Sequence, residues 1–167
     1  MYTYDARGRI TGIQDGNQNQ TGHQMDSWGR VHQIETAEGG KENFAYDYAG
    51  HITSTTDANG GVITYRYNSQ GKVCEIIDQE GNSETFRYDR EGRRILHEDR
   101  IGNQVRTTYN VDGRPVLERA CDYMGENEVS RSWEYDGIGN IKKAVAGGIC
   151  YTYEYRPDGK LIKKSSS

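Results

Sequence analysis

A chain of 167 residues with a formal net charge of −4 and interspersed acidic and basic side chains has no basic footprint, which argues against nucleic acid as a partner. Leu, Ile, Val and Phe supply only 26 residues, below the rough 20% under which chains tend to disorder, but 13 tyrosines add large apolar bodies with polar tips. No apolar run reaches membrane-spanning length, and the opening MYTYDARGRI has no signal-peptide core, so membrane insertion is not expected.

Order comes from a repeat. In the first unit Tyr2 and Tyr4 alternate around Thr3, the period of a strand with one buried face. Asp5-Ala6-Arg7-Gly8 then has the residue preferences of a type I turn, and Arg9–Ile13 resumes as a second strand. One unit is therefore one β-hairpin. Met1 stands just before Tyr2, inside the repeat's own phase, so the chain is expected to be a piece of a longer protein. Taking the tyrosine as anchor, the units fall at Tyr4, Met25, Tyr46, Tyr67, Tyr88, Tyr109, Tyr135 and Tyr155, with five intervals of 21 residues, then 26 and 20. A second turn recurs between units as Asp57-Ala58-Asn59-Gly60, Asp78-Gln79-Glu80-Gly81 and Asp99-Arg100-Ile101-Gly102, which makes an antiparallel meander. The five extra residues before Tyr135 are assigned to a longer loop at 122–128, and Lys163–Ser167 to a frayed tail. Residues 1–167 thus read as a single hairpin array.

The repeat signature comprises Tyr4, Asp5, Gly8, Tyr46, Asp47, Gly50, Tyr67, Gly71, Tyr88, Asp89, Gly92, Tyr109, Gly113, Tyr135, Asp136, Gly139, Tyr155 and Gly159. The glycine four after the anchor is present in all eight units, as expected for positive φ at the turn exit. Arg or Lys follows it in six units, which suggests an ion pair of the Asp89–Arg93 kind across the turn. Six residues after the anchor stands an apolar side chain, except for Arg94 and Pro115, where a β-bulge would restore the facing of Ile95 and Val116. Stacked repeats are expected to lay tyrosine on tyrosine in a ladder. About sixteen strands at roughly 4.8 Å each would give a strip about 75 Å wide. Open twisted sheets rarely exceed about ten strands without curling, so a curled, spiralling all-β strip follows, with terminal edges open to edge-to-edge self-association.

The phrase Tyr-x-Tyr-Asp-x-x-Gly-Arg, followed by an apolar residue and later by Asp-x-x-Gly, resembles the YD repeat of Rhs (rearrangement hotspot) proteins. Related repeats occur in the B and C components of bacterial insecticidal toxin complexes, in wall-associated proteins and in teneurins. The resemblance covers essentially the whole chain. It implies a hairpin strip that spirals into a hollow shell, which encloses a polymorphic C-terminal toxin in bacterial members and forms part of an adhesion ectodomain in teneurins. By the same resemblance the protein is secreted, displayed at a cell surface or delivered by a bacterial secretion system. Its partners are then the remaining repeats and the toxin domain of the parent protein. Nothing here resembles the Rhs core segment that supports self-cleavage, and a toxin domain is missing. What the resemblance leaves is shell wall, a partial shell too short to close.

Catalytic and ligand-binding patterns are sparse. His23, His32, His51 and His97 sit at four different repeat phases and are not expected to converge on a metal. The three cysteines, Cys74, Cys121 and Cys150, share no phase and read as free thiols. An aligned row of Asp5, Asp26, Asp47, Asp89 and Asp136 could suggest calcium, but turn chemistry already explains it. No nucleophile elbow or phosphate-binding loop occurs, so neither an enzyme nor a cofactor is expected. The sequence therefore reads as a non-catalytic shell segment enclosing a toxin or other cargo. The alternative is a surface module in which Trp28 and exposed tyrosines recognise glycans or a partner protein.

Overall fold

The computed structural model describes all 167 residues, which form sixteen β-strands and no helix. The first eight are β1 (Tyr2–Tyr4), β2 (Ile10–Gln14), β3 (Gln20–Met25), β4 (Val31–Glu35), β5 (Lys41–Tyr46), β6 (Ile52–Thr56), β7 (Val62–Tyr67) and β8 (Val73–Ile77). The rest are β9 (Ser83–Tyr88), β10 (Arg94–Glu98), β11 (Gln104–Tyr109), β12 (Pro115–Cys121), β13 (Val129–Tyr135), β14 (Ile141–Ala146), β15 (Ile149–Tyr155) and β16 (Leu161–Ser166). Strand order in the sheet is chain order. The chain forms two compact units, Met1–Ser83 and Glu84–Ser167. Within the first, β1 to β8 form an antiparallel meander. Within the second, β9 to β16 repeat the pattern.

Local chemistry explains the hairpins. In the first, the Gly8 N–H donates to Asp5 O at 3.0 Å and the Asp5 N–H to Arg9 O at 2.9 Å, and Gly8 lies at φ 76°. That is a type I turn closed by a left-handed residue, the usual build of a short hairpin loop. All eight anchor turns share the pair of bonds and the left-handed glycine. Most inter-hairpin turns use it too, as at Asp57 and Gly60. The last is shorter: Gly147 and Gly148, at φ 57° and 79°, make a two-residue turn between β14 and β15.

Three expectations are corrected. First, the bulge expected at Ile95 and Val116 is present there and in every other anchor hairpin: Tyr88 pairs with Arg94 but Arg87 with Leu96, and Tyr46 pairs with Ile52 but Ala45 with Ser54. The same slip recurs in the six remaining hairpins. It belongs to the repeat and is not a repair for Arg94 and Pro115. Second, the five added residues are not confined to a loop. Segment 122–128 does link β12 to β13, but each of these strands runs seven residues, against five in β10 and six in β11. Third, the tail is not frayed. Residues 163–166 belong to β16, where Lys163 to Ser166 pair with Glu154 to Tyr151, because the polar chain still offers a full set of backbone donors and acceptors.

Alternation gives the sheet two chemically different faces. One carries the anchor tyrosines and the aromatic two residues earlier, in cross-strand rows such as Phe44–Thr55–Ile63 and Phe86–His97–Val105. The other carries polar cross-strand pairs: Gln24 with Gln33, Arg66 with Glu75 and Glu134 with Lys143. Only Leu96, at 8% exposure, is a buried apolar residue. The order of this chain therefore rests on strand pairing and on contacts between neighbouring hairpins.

Candidate functional site

The signature residues gather at the anchor turns. Asp5 Oδ1 accepts the backbone N–H groups of Arg7 and Arg9, each at 2.9 Å, while Oδ2 accepts Arg9 Nε at 2.6 Å. The same pair of side chains closes the turns at Asp26–Arg30 (2.7 Å) and Asp89–Arg93 (2.6 Å), as the spacing predicts. His51 takes the arginine's place at Asp47, with Nδ1 2.9 Å from Oδ2. Asn68 and Asn110 hold their turns by the same backbone bonds. In the eighth unit Arg156 replaces the aspartate, and Asp158 inside the turn accepts the Lys160 N–H instead.

These bonds depress the carboxyls. The Arg9 N–H holds Asp5 below the usual aspartate value, as does the His51 ring for Asp47 and the Asn127 amide for Asp122. At Asp89 partial burial opposes ionisation, but the N–H, guanidinium and charge of Arg93 together outweigh it.

Tyrosine does not lie on tyrosine. Successive anchors are two strands apart, roughly 9.6 Å, beyond the 4.5–7 Å of a ring pair. The side chain five residues after one anchor fills the gap to the next: Arg30 lies 4.5 Å over the Tyr46 ring, His51 stacks 4.5 Å from Tyr67, and Arg93 lies 5.0 Å over Tyr109. Arg114 lies 5.7 Å over Tyr135. Arg30 Nη1 also donates to Asp47 O at 2.9 Å, so one arginine ties two hairpins. The tyrosine hydroxyl reaches the other way. Tyr46, Tyr67, Tyr109, Tyr135 and Tyr155 donate to the carbonyls of Val31, Ile52, Arg94, Pro115 and Ile141, at 2.7 to 3.0 Å. Sequence reasoning placed these tyrosines in the packing but missed both links. The constant 21-residue interval was the available signal.

The four histidines lie apart: His23 faces Ile34 across β3 and β4, His32 is at a bulge, His51 is in its turn, and His97 Nε2 sits 2.6 Å from Glu84 Oε1 against Phe86. No three His, Cys, Asp or Glu side chains gather as a metal group, and all three cysteines are free thiols. The turn aspartates bond to backbone, guanidinium, imidazole and amide donors. At the tips, Trp28 and Tyr48 are 66% and 93% exposed, with ring centroids 6.4 Å apart.

Residues 1–117 match the teneurin YD-shell family. This chain belongs to that family. As a YD-shell chain, it shares its fold with a Tc holotoxin pore from Photorhabdus luminescens bearing a mutated TccC3, at a TM-score of 0.76 and 14% identity over 94% of this chain. A TcdB2–TccC3–Cdc42 crystal structure gives 0.67 and 13% over 97%, and a TcdB2–TccC3 structure without the hypervariable C-terminal region gives 0.59 and 18% over 99%. The YD-shell chain spans only 9% of the first two of these chains and 11% of the third. No curated protein matches it in sequence.

Proposed function

We propose that this chain is a non-catalytic wall segment of a YD-repeat shell that encloses a C-terminal toxin or other cargo within a larger secreted or delivered bacterial protein. The observation that carries this reading is where the repeated polar groups are used. The tyrosine hydroxyls and arginines tie each hairpin to its neighbour, the anchor-turn aspartates close the hairpins themselves, and no three His, Cys, Asp or Glu side chains gather as a metal group. Family membership and the likeness to Tc toxin structures support the shell role. In this reading residues 1–167 are one array of eight hairpins, and the signature residues are its joints.

Partial proteolysis of the natural-length gene product tests it. An enclosed C-terminal segment resists cleavage until denaturant or acid opens the wall, while the same segment expressed alone is cut at once. Equal cleavage rates in the two settings would sink the reading. The exposed Trp28–Tyr48 pair favours one competitor, a glycan-recognition surface. Specific, saturable signals on a glycan array, lost in Trp28→Ala, would support that competitor.

A further inference from the structure

One turn-opening aspartate lacks the side-chain cap that the others carry, and a cavity opens beside it. At every other turn-opening aspartate a side chain four residues on, or five on at Asp122, binds the second oxygen with a guanidinium, imidazole or amide nitrogen, as with Arg9, His51, Asn82, Asn103 and Asn127. At Asp57 that position is Gly61. Asp57 keeps its two backbone bonds, from the N–H groups of Asn59 and Gly61 to Oδ1 at 2.8 and 2.9 Å, and no side chain donates to Oδ2. A Cβ built on Gly61 would stand 2.7 Å from Asp57 Oδ2 and 3.0 Å from Gln79 Oε1. Gln79 donates one amide N–H to Glu80 Oε1, at 2.8 Å, and its own Oε1 is an acceptor. Two acceptor oxygens therefore converge on one small space.

That space adjoins a cavity of about 440 Å³ whose lining includes Phe44 and Ile63 as well as Glu42, Asp57, Gln79 and Glu80, with no Lys, Arg or His. Phe44 and Ile63 belong to one cross-strand row through Thr55, so an apolar strip runs beside the carboxylates. The complementary group is a planar cation with several donors and an apolar stem. Guanidinium fits: it spans paired acceptors and stacks on an aromatic face, whereas an ammonium acts as a point charge. The molecule already shows the chemistry, since three equivalent carboxylates take a guanidinium from their own chain.

We propose that this cavity receives the arginine side chain of an extended peptide partner, supplied from outside where the repeat elsewhere supplies its own capping group. The inference is independent of whether the wall encloses cargo. To test it, the ¹⁵N-labelled chain is titrated with the blocked pentapeptide Gly-Ser-Arg-Ser-Gly and with its citrulline counterpart, which keeps the shape and loses the charge. Saturable shifts are expected at the amides of Asn59, Gly61, Gln79 and Glu80, with the citrulline peptide about tenfold weaker. Gly61→Asn, which restores the cap that Asn82 and Asn103 provide, should weaken the arginine peptide about tenfold at an unchanged or higher melting temperature. Should Gly61→Asn fail to fold, Asp57→Asn serves, because Asn68 shows that asparagine opens the same turn. Absence of saturable shifts, equal affinity for the two peptides, or full affinity in the folded variant overturns the proposal.

Discussion

The hydroxyl of an anchor tyrosine links one hairpin to its predecessor with a single bond, and its removal can be measured. Tyr67→Phe keeps the ring against His51 and deletes only the 2.8 Å bond to the Ile52 carbonyl. Its expected cost is about 0.5–1.5 kcal/mol, read from urea denaturation. Tyr48→Phe, at a 93% exposed tip, should shift stability by no more than about 0.5 kcal/mol and serves as the control. Equal effects from both would mean that the hydroxyl bond contributes nothing. The reverse change is available at Met25, the one anchor without a hydroxyl. Met25→Tyr places a donor where the other repeats bond the carbonyl six residues after the preceding anchor, here Ile10. A gain of about 0.5–1.5 kcal/mol is expected in the same assay.

At the scale of the hairpin, turn chemistry sets the backbone and the bulge sets the facing. Gly92 lies at φ 79°, a conformation that costs a side chain about 1–2 kcal/mol, so Gly92→Val should lose that much by thermal melting. Gln18 occupies the equivalent exit of its turn at φ 69°, against glycine in the neighbouring turns. Gln18→Gly should therefore stabilise by about 0.5–1 kcal/mol after the larger loss of chain entropy, and a lower melting point would contradict it. The turns were legible in the sequence because Asp and Gly act within four residues of chain. The bulge in every anchor hairpin was not. It is a property of which residues oppose each other across two strands, and the apolar residue six after most anchors concealed it. Only Arg94 and Pro115 broke that pattern enough to hint at the slip. The arginine between successive tyrosines was hidden for a similar reason: its partner is 16 residues on, and only the two-strand spacing reveals the gap it fills. Nor does composition reveal the tail, since Lys163 and Lys164 look solvated yet pair with β15.

Across the whole molecule the turn carboxylates are the shared titrating element. Asp5, Asp15, Asp26 and Asp47 in the first unit, and Asp89, Asp99, Asp122 and Asp136 in the second, all have lowered pKa values. A group lowered on folding binds fewer protons folded than unfolded, so its stabilisation is complete above the ordinary aspartate value of about 3.9. It disappears as the pH falls through that value towards the lowered one. With Leu96 the only buried apolar side chain, there is little core to mask the loss. The melting temperature should hold between about pH 5 and 7 and fall below about pH 4, which circular dichroism melts at stepped pH can follow. Asp89→Asn supplies the discriminating arm. Asparagine keeps the backbone bonds of the turn, as at Asn68 and Asn110, and loses the titration, so the variant should start lower at pH 7 and fall less on acidification. A parallel acid slope in variant and parent would assign the acid sensitivity to other groups.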